Sequence, residues 1–218
     1  MKTKLALVTV LCVLILSAFS VKPQENKEPV QKSLFDTLVI KDISKELYIC
    51  TCKPNTANPS GKGKLYYQGK WKVESEKKDS MYFCDERFLV QWDLSEIPEE
   101  IKIIEAKMRL VCAEFNGDEQ GQLVYECISE PWDEDIGYNK KPKTLPENQV
   151  VTAWPAKNTY HYVDITEFVK AWYCNEIPNY GLMGLSVNTE TKNSALFCSS
   201  EYPKESVRPK LIVIFSKE

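Results

Sequence analysis

The chain has 218 residues, with 28 lysines and arginines against 31 acids and a formal charge of −3. The basic residues are scattered instead of forming the stripe that a phosphate backbone requires, which argues against nucleic acid as a partner. Only one histidine is present, so a zinc site built on a histidine pair is excluded as well.

Met1 to Ser20 reads as an export signal: Lys2 and Lys4, an apolar run from Leu5 to Leu16, then Ala18-Phe19-Ser20 with small residues where a signal peptidase cuts. The run is short for a membrane span, although a retained N-terminal anchor stays open. Cys12 lies inside the run, so it is not placed for lipid attachment. Removing Lys2 and Lys4 would take the charge from −3 to −5. Residues 21–33 are dominated by Lys, Glu, Pro and Gln and read as a disordered tether. One domain is then expected over residues 34–218.

Eleven extended segments follow in order: Phe35 to Ile40, Leu47 to Cys52, Lys64 to Gly69, Arg87 to Asp93, Ala106 to Ala113, Gln122 to Ile128, Gln149 to Thr152, Thr159 to Val163, Gly181 to Val187, Ser194 to Ser199 and Lys210 to Ser216. Turn residues separate them, which predicts an all-β, jelly-roll-like β-sandwich. Alternation turns Phe88, Val90 and Trp92 one way and Arg87, Leu89, Gln91 and Asp93 the other. It also turns Ala106, Met108, Leu110 and Cys112 inward, so both segments read as strands with one solvated face. Loops are expected from Pro54 to Gly63 and from Asp133 to Asn148, long enough to suggest function or mobility.

The period changes from 2 to 3.6 within Tyr160 to Trp172. Tyr160 and Tyr162 alternate as the apolar side of a strand, which turns His161 the other way, toward solvent. Ile165, Phe168, Val169 and Trp172 then fall on one face of a short helix that caps a hydrophobic interior. Asp164 and Glu167 have capping-box spacing.

Seven cysteines remain beyond Cys12. The number is odd, so at least one thiol stays free or pairs with another chain. Cys112, Cys127 and Cys198 sit in apolar strand patterns and read equally well as buried hydrophobes or as disulfide partners.

Several ordered pieces resemble one family. Arg87-Phe88-Leu89-Val90-Gln91-Trp92-Asp93-Leu94-Ser95 with Ile97-Pro98, the strand Ile104 to Leu110, Pro131-Trp132-Asp133-Glu134 and Tyr138 to Pro142 come first. Val163-Asp164-Ile165-Thr166 through Trp172, Pro178 to Leu182, Ser199-Ser200-Glu201 and Arg208 to Leu211 complete the series. Together they resemble the DNRLRE-domain proteins, classed among carbohydrate-binding modules as family 96, although the name-giving motif is absent. The resemblance implies a sandwich found in exported and cell-surface proteins, in some cases binding polysaccharide, and it supplies no catalytic residue. Trp92, Trp132, Trp172 and Tyr138 coincide with its framework, which implies that they pack.

Aromatic rings are the natural sugar contacts, because an apolar face packs on the C–H face of a pyranose. Trp71 and Trp154 lie outside the family pieces and, with Tyr66 and Tyr67, are candidates for an exposed platform. Lys70 and Lys72 flank Trp71 and could meet acidic sugars. The run Asp133-Glu134-Asp135 reads as a solvated or capping loop, as oxygen ligands for calcium, or as one carboxylate of a glycosidase pair. The expectation is an exported, non-catalytic module at or outside the cell surface that binds a polysaccharide or surface glycan, acidic by family analogy. A structural or adhesive protein binding another surface protein is the alternative, and a polysaccharide-cleaving enzyme a third.

Overall fold

The computed structural model describes residues 34–58, 65–74, 81–116, 122–187 and 193–217. The expected signal segment and tether lie outside them. The strands are β1 (Asp36–Ile40), β2 (Ile43–Cys50), β3 (Leu65–Glu74), β4 (Met81–Trp92), β5 (Ile101–Asn116), β6 (Gln122–Ile128), β7 (Thr144–Ala153), β8 (Tyr160–Asp164), β9 (Leu182–Val187), β10 (Asn193–Cys198) and β11 (Lys210–Lys217). The helix α1 (Thr166–Tyr173) follows β8. Each of the eleven expected segments is a strand, and the fold is an all-β sandwich with one short helix.

Every strand pairing among the described residues is antiparallel, and the pairs divide into two sheets. In the first sheet β1 pairs β11, β11 pairs the first half of β5, and β5 pairs β8. The far end of β5 instead pairs β10 in the second sheet, which continues through β3, β4, β9 and β6 to β7, with β2 also on β4. Register shifts occur where β5 meets β10 and where it meets β11. One long strand thus passes from sheet to sheet through bulges, a common way to close a sandwich.

The interior is built from the alternating residues of both sheets. Ile40, Phe88, Val90, Trp92, Ala106, Met108, Leu110, Cys112, Leu123, Tyr125, Val163, Phe197, Leu211 and Val213 form one buried cluster, closed at an end by Ile165, Phe168, Val169 and Trp172 of the helix segment. The plug expected of Trp172 is therefore present. Cys112, Cys127 and Cys198 are buried free thiols, whereas Cys52 and Cys84 form a disulfide across 32 residues.

Four local expectations need correction. Leu89 does not face water: it is fully buried in a second cluster with Leu47, Ile49, Ile128, Trp132 and Met183, because the turns carrying Ala57, Ile136 and Tyr138 fold over that face. The loop placed over Asp133 to Asn148 ends early, since β7 starts at Thr144 and runs through Pro146; β7 is an edge strand, where a missing N–H is tolerated. The capping box does not form. The helix starts one residue later, and Asp164 Oδ1 instead accepts from Thr166 N (3.0 Å) and Thr166 Oγ1 (2.6 Å), while Glu167 pairs with Lys170 at 2.8 Å. These Thr166 donors hold the Asp164 carboxyl below the usual carboxylate range.

The fourth correction is His161, which is buried while Tyr160 and Tyr162 are 55% and 50% exposed. Val163 and Ile165 share its parity and enter the core, so strand geometry carries His161 inward with them. Its Nε2 lies 3.0 Å from Tyr125 Oη and 3.2 Å from Thr152 Oγ1, and its ring stacks on Phe197 with centroids 5.7 Å apart.

Gly184 shows how tightly this core is filled. It pairs Phe88 on β4 and Tyr125 on β6, whose rings meet edge to face with centroids 6.3 Å apart. A Cβ on Gly184 would lie 2.8 Å from Cζ of Phe88, a fully buried ring that also packs edge-on with Phe197 at 6.3 Å. Gly184→Ala is expected to lower stability by about 1–3 kcal/mol through overpacking. Chemical denaturation would show it as a lower midpoint at unchanged slope, and an unchanged midpoint would contradict the packing described.

Candidate functional site

The outward face of the first sheet is open and carries aromatic and cationic side chains in register. On β8, Tyr160 and Tyr162 stand on the same side two residues apart, with ring centroids 6.1 Å apart and planes at 45°. Tyr162 is opposite Arg109 of β5, and Arg109 is opposite Lys210 of β11. Neighbouring strands lie about 4.8 Å apart, so these three residues make a row across the strands. Lys107, one step along, is opposite Asp164 and Ile212.

The electrostatics leave this row positive. The Arg109 guanidinium lies over the Tyr160 ring at 5.1 Å and donates through one terminal nitrogen to Ser206 O (3.0 Å) and Arg208 O (3.1 Å). Carbonyls fix its position without cancelling its charge. No carboxylate lies within ion-pair distance of Arg109 or Lys210 among the described residues. Burial, followed by the positive charges of Arg109 and Lys41, outweighs the Glu205 carboxylate and pushes the Lys210 amine down. Lys107 differs, since Glu105 lies 2.6 Å away and holds its amine up. Lys41, on the first-sheet side of the β1–β2 turn, is 3.7 Å from Glu205.

The sequence-based candidates fall elsewhere. Tyr66, Tyr67, Lys70, Trp71 and Lys72 belong to the backbone of β3, paired with β10 and β4, and their side chains lie outside the described residues. Trp154 is not the open platform expected of it. It is half-buried, packs on Phe115 with centroids 5.3 Å apart, and leaves its indole N–H buried without a partner.

Asp133, Glu134 and Asp135 are exposed, and among the described residues no three acidic, histidine or cysteine side chains converge as cation ligands. The calcium expectation thus finds no such cluster here. Glu134 Oε1 accepts instead from Glu46 N at 2.9 Å, and Asp133 lies 3.8 Å from Lys45 Nζ. Lys45 also donates to Trp132 O at 2.7 Å, and Trp132 Nε1 donates to Tyr180 O at 2.8 Å. The acidic run therefore ties its loop down over the second cluster.

A further polar cluster sits beside that loop. Asp85 Oδ2 accepts from Arg87 (2.7 Å) and from Tyr138 Oη (2.5 Å), while Lys141 lies 4.4 Å from the Tyr138 ring. Burial and the bond to Asp85 push the Tyr138 phenol up, so it stays protonated and donating. Arg87 and Tyr138 both bind Asp85 Oδ2, which suits holding the loop, while Asp85 Oδ1 is buried without a hydrogen-bond partner.

Tyr160, Tyr162, Arg109 and Lys210 are the functional candidates that strand periodicity alone does not single out. The usable signal was the parity of Val163 and Ile165, which assigns the inward side to His161 and leaves both tyrosines in solvent.

Two antiparallel sheets with one short helix make this a β-sandwich module. The chain belongs to carbohydrate-binding module family 96, whose family model matches residues 46–215. No curated protein matches the chain.

Proposed function

We propose that this carbohydrate-binding module is exported and binds an acidic polysaccharide, without catalysis, on the open face of the first sheet. The observation that carries the reading is the exposed pair Tyr160 and Tyr162 beside the cations Arg109 and Lys210, neither of which forms an ion pair among the described residues. Two rings on one strand offer stacking faces to successive sugars, and a cation within one strand spacing can meet a carboxylate or sulfate. A flat face suits an extended polymer better than a small, enclosed ligand. Export is supported by the charged, apolar and small-residue order of Met1 to Ser20.

Affinity electrophoresis through gels containing a polyuronate, a sulfated glycan or a neutral glucan tests this directly. Tyr162→Ala and Tyr160→Ala are each expected to weaken binding about tenfold, since one stacked ring is worth roughly 0.5–1.5 kcal/mol beyond its buried area. Lys210→Gln should weaken binding to the charged polymers alone and flatten its salt dependence. Undiminished retention of both tyrosine variants, with loss in Trp71→Ala or Trp154→Ala, would move the site to those tryptophans.

A further inference from the structure

Three of the seven cysteines meet at the end of β2. Cys50 pairs Glu86 in the β2–β4 ladder. Beyond the strand end, Thr51 N donates to Asp85 O at 3.0 Å and Asp85 N donates to Thr51 Oγ1 at 2.8 Å, which keeps the two chains in step for another residue. Cys52 therefore arrives opposite Cys84, to which it is bonded. Alternation puts residues 48, 50 and 52 on the same face as 84 and 86. The bond from Tyr48 Oη to Glu86 Oε1 (2.5 Å) marks that face.

Cys50 carries a free thiol and packs with Tyr48 and Cys84 in one buried cluster. The two sulfurs that can compete for Cys84 differ in exposure: Cys50 is 3% exposed, whereas Cys52 stands on the exposed turn. Diagonal neighbours in an antiparallel pair lie about 7–8 Å apart at Cα and closer at Cβ, and Cys50 and Cys84 share one buried cluster, so a backbone shift of the β2 end along β4 brings Cys50 within bridging range of Cys84.

We propose that Cys50, Cys52 and Cys84 form a thiol–disulfide exchange site that presents a nucleophilic thiol at Cys52 to a disulfide-bearing molecule. In the first step Cys50, having lost its proton to water, attacks Cys84 Sγ. The Cys50–Cys84 bond forms as Cys52–Cys84 breaks, and the electron pair of the broken bond stays on Cys52 Sγ. The step is an isomerisation with no net oxidation. In the second step the Cys52 thiolate attacks one sulfur of the external disulfide, giving a mixed disulfide at Cys52 and releasing the other half as a thiolate. Burial shields Cys50 from external disulfides and leaves Cys84, in the same cluster, as its target. Cys52 needs exposure, and the turn supplies it.

The test uses the full chain carrying Cys12→Ser and Cys174→Ser, the latter removing the exposed free thiol among the described residues, and 5,5′-dithiobis(2-nitrobenzoate) as the external disulfide. With Cys50 present, the native protein is expected to release coloured thiolate at least about tenfold faster than the Cys50→Ser variant, with the adduct mapped to Cys52 by fragmentation across Thr51. Cys52→Ser, kept under oxidising conditions, is expected to yield a Cys50–Cys84 bridge. Equal release rates with and without Cys50 would overturn the proposal. So would recovery of Cys50 and Cys84 as two thiols in Cys52→Ser.

Discussion

Trp172→Ala is expected to lower stability by about 3–5 kcal/mol, the range for emptying a large aromatic site in a packed interior. Trp172 is buried beside Phe168, with centroids 6.2 Å apart, in the same cluster as Ile165 and Val169. The helix has eight residues and no side-chain N-cap bond. Helices this short are marginal by themselves, so packing has to hold it. Truncating Trp172 would open the end of the sandwich and release the helix together. Trp172→Phe separates volume from polarity. The indole N–H is buried without a partner, so replacing it with a ring that has no donor removes a penalty while keeping most of the fill. We expect Trp172→Phe to cost under about 1.5 kcal/mol. Denaturant midpoints decide both. A loss below roughly 1 kcal/mol in Trp172→Ala would mean that the helix is not a structural plug.

Periodicity showed what was buried better than it showed where each strand stopped. The interior of β5 is legible because Ala106, Met108, Leu110 and Cys112 alternate with charged residues. Its full span, Ile101–Asn116, is not, because its far end crosses into the second sheet and follows a different alternation. β7 hides for another reason: an edge strand is solvated along most of its length, so Glu147 and Asn148 look like loop residues. Leu89 illustrates coverage from a distance. Nothing in the strand itself says that turns distant along the chain, those carrying Ala57, Ile136 and Tyr138, will fold over its second face.

The site was half legible for a related reason. Aromatic residues in a strand are ordinarily counted toward the core, and Tyr-His-Tyr invites that assignment. Parity with Val163 and Ile165 opposes it, and the structure follows parity. The cations could not be placed from sequence, because Arg109 and Lys210 are 101 positions apart along the chain (210 − 109). Only the β5–β11 register brings them together. Tryptophans outside the family pieces were the natural first choice for sugar contact, yet Trp154 fills a gap against Phe115 instead.

Acid is expected to destabilise the protein in a window that belongs to one residue. Burial pushes the His161 imidazole down from 6.5 to about 4. The folded state therefore holds it neutral under conditions where the unfolded chain already binds a proton. With the folded value below the unfolded one, its contribution is complete above about pH 6.5 and is lost as pH falls toward 4. The whole effect is roughly 3 kcal/mol, of which about 2 kcal/mol should be gone by pH 5. Ordinary carboxylates titrate near pH 4, and Asp93 and Asp164 are held lower still. No other histidine exists in the chain, so the slope between pH 5 and 6.5 reports His161 almost alone. His161→Gln keeps a polar group beside Tyr125 and Thr152 but cannot titrate, and it should flatten that slope; an equal slope in the variant would rule out the assignment. The same strand carries His161 inward and Tyr160 and Tyr162 outward. Charging the imidazole would therefore loosen β8 from beneath the proposed sugar platform, and binding should weaken over the same pH range at which the fold does.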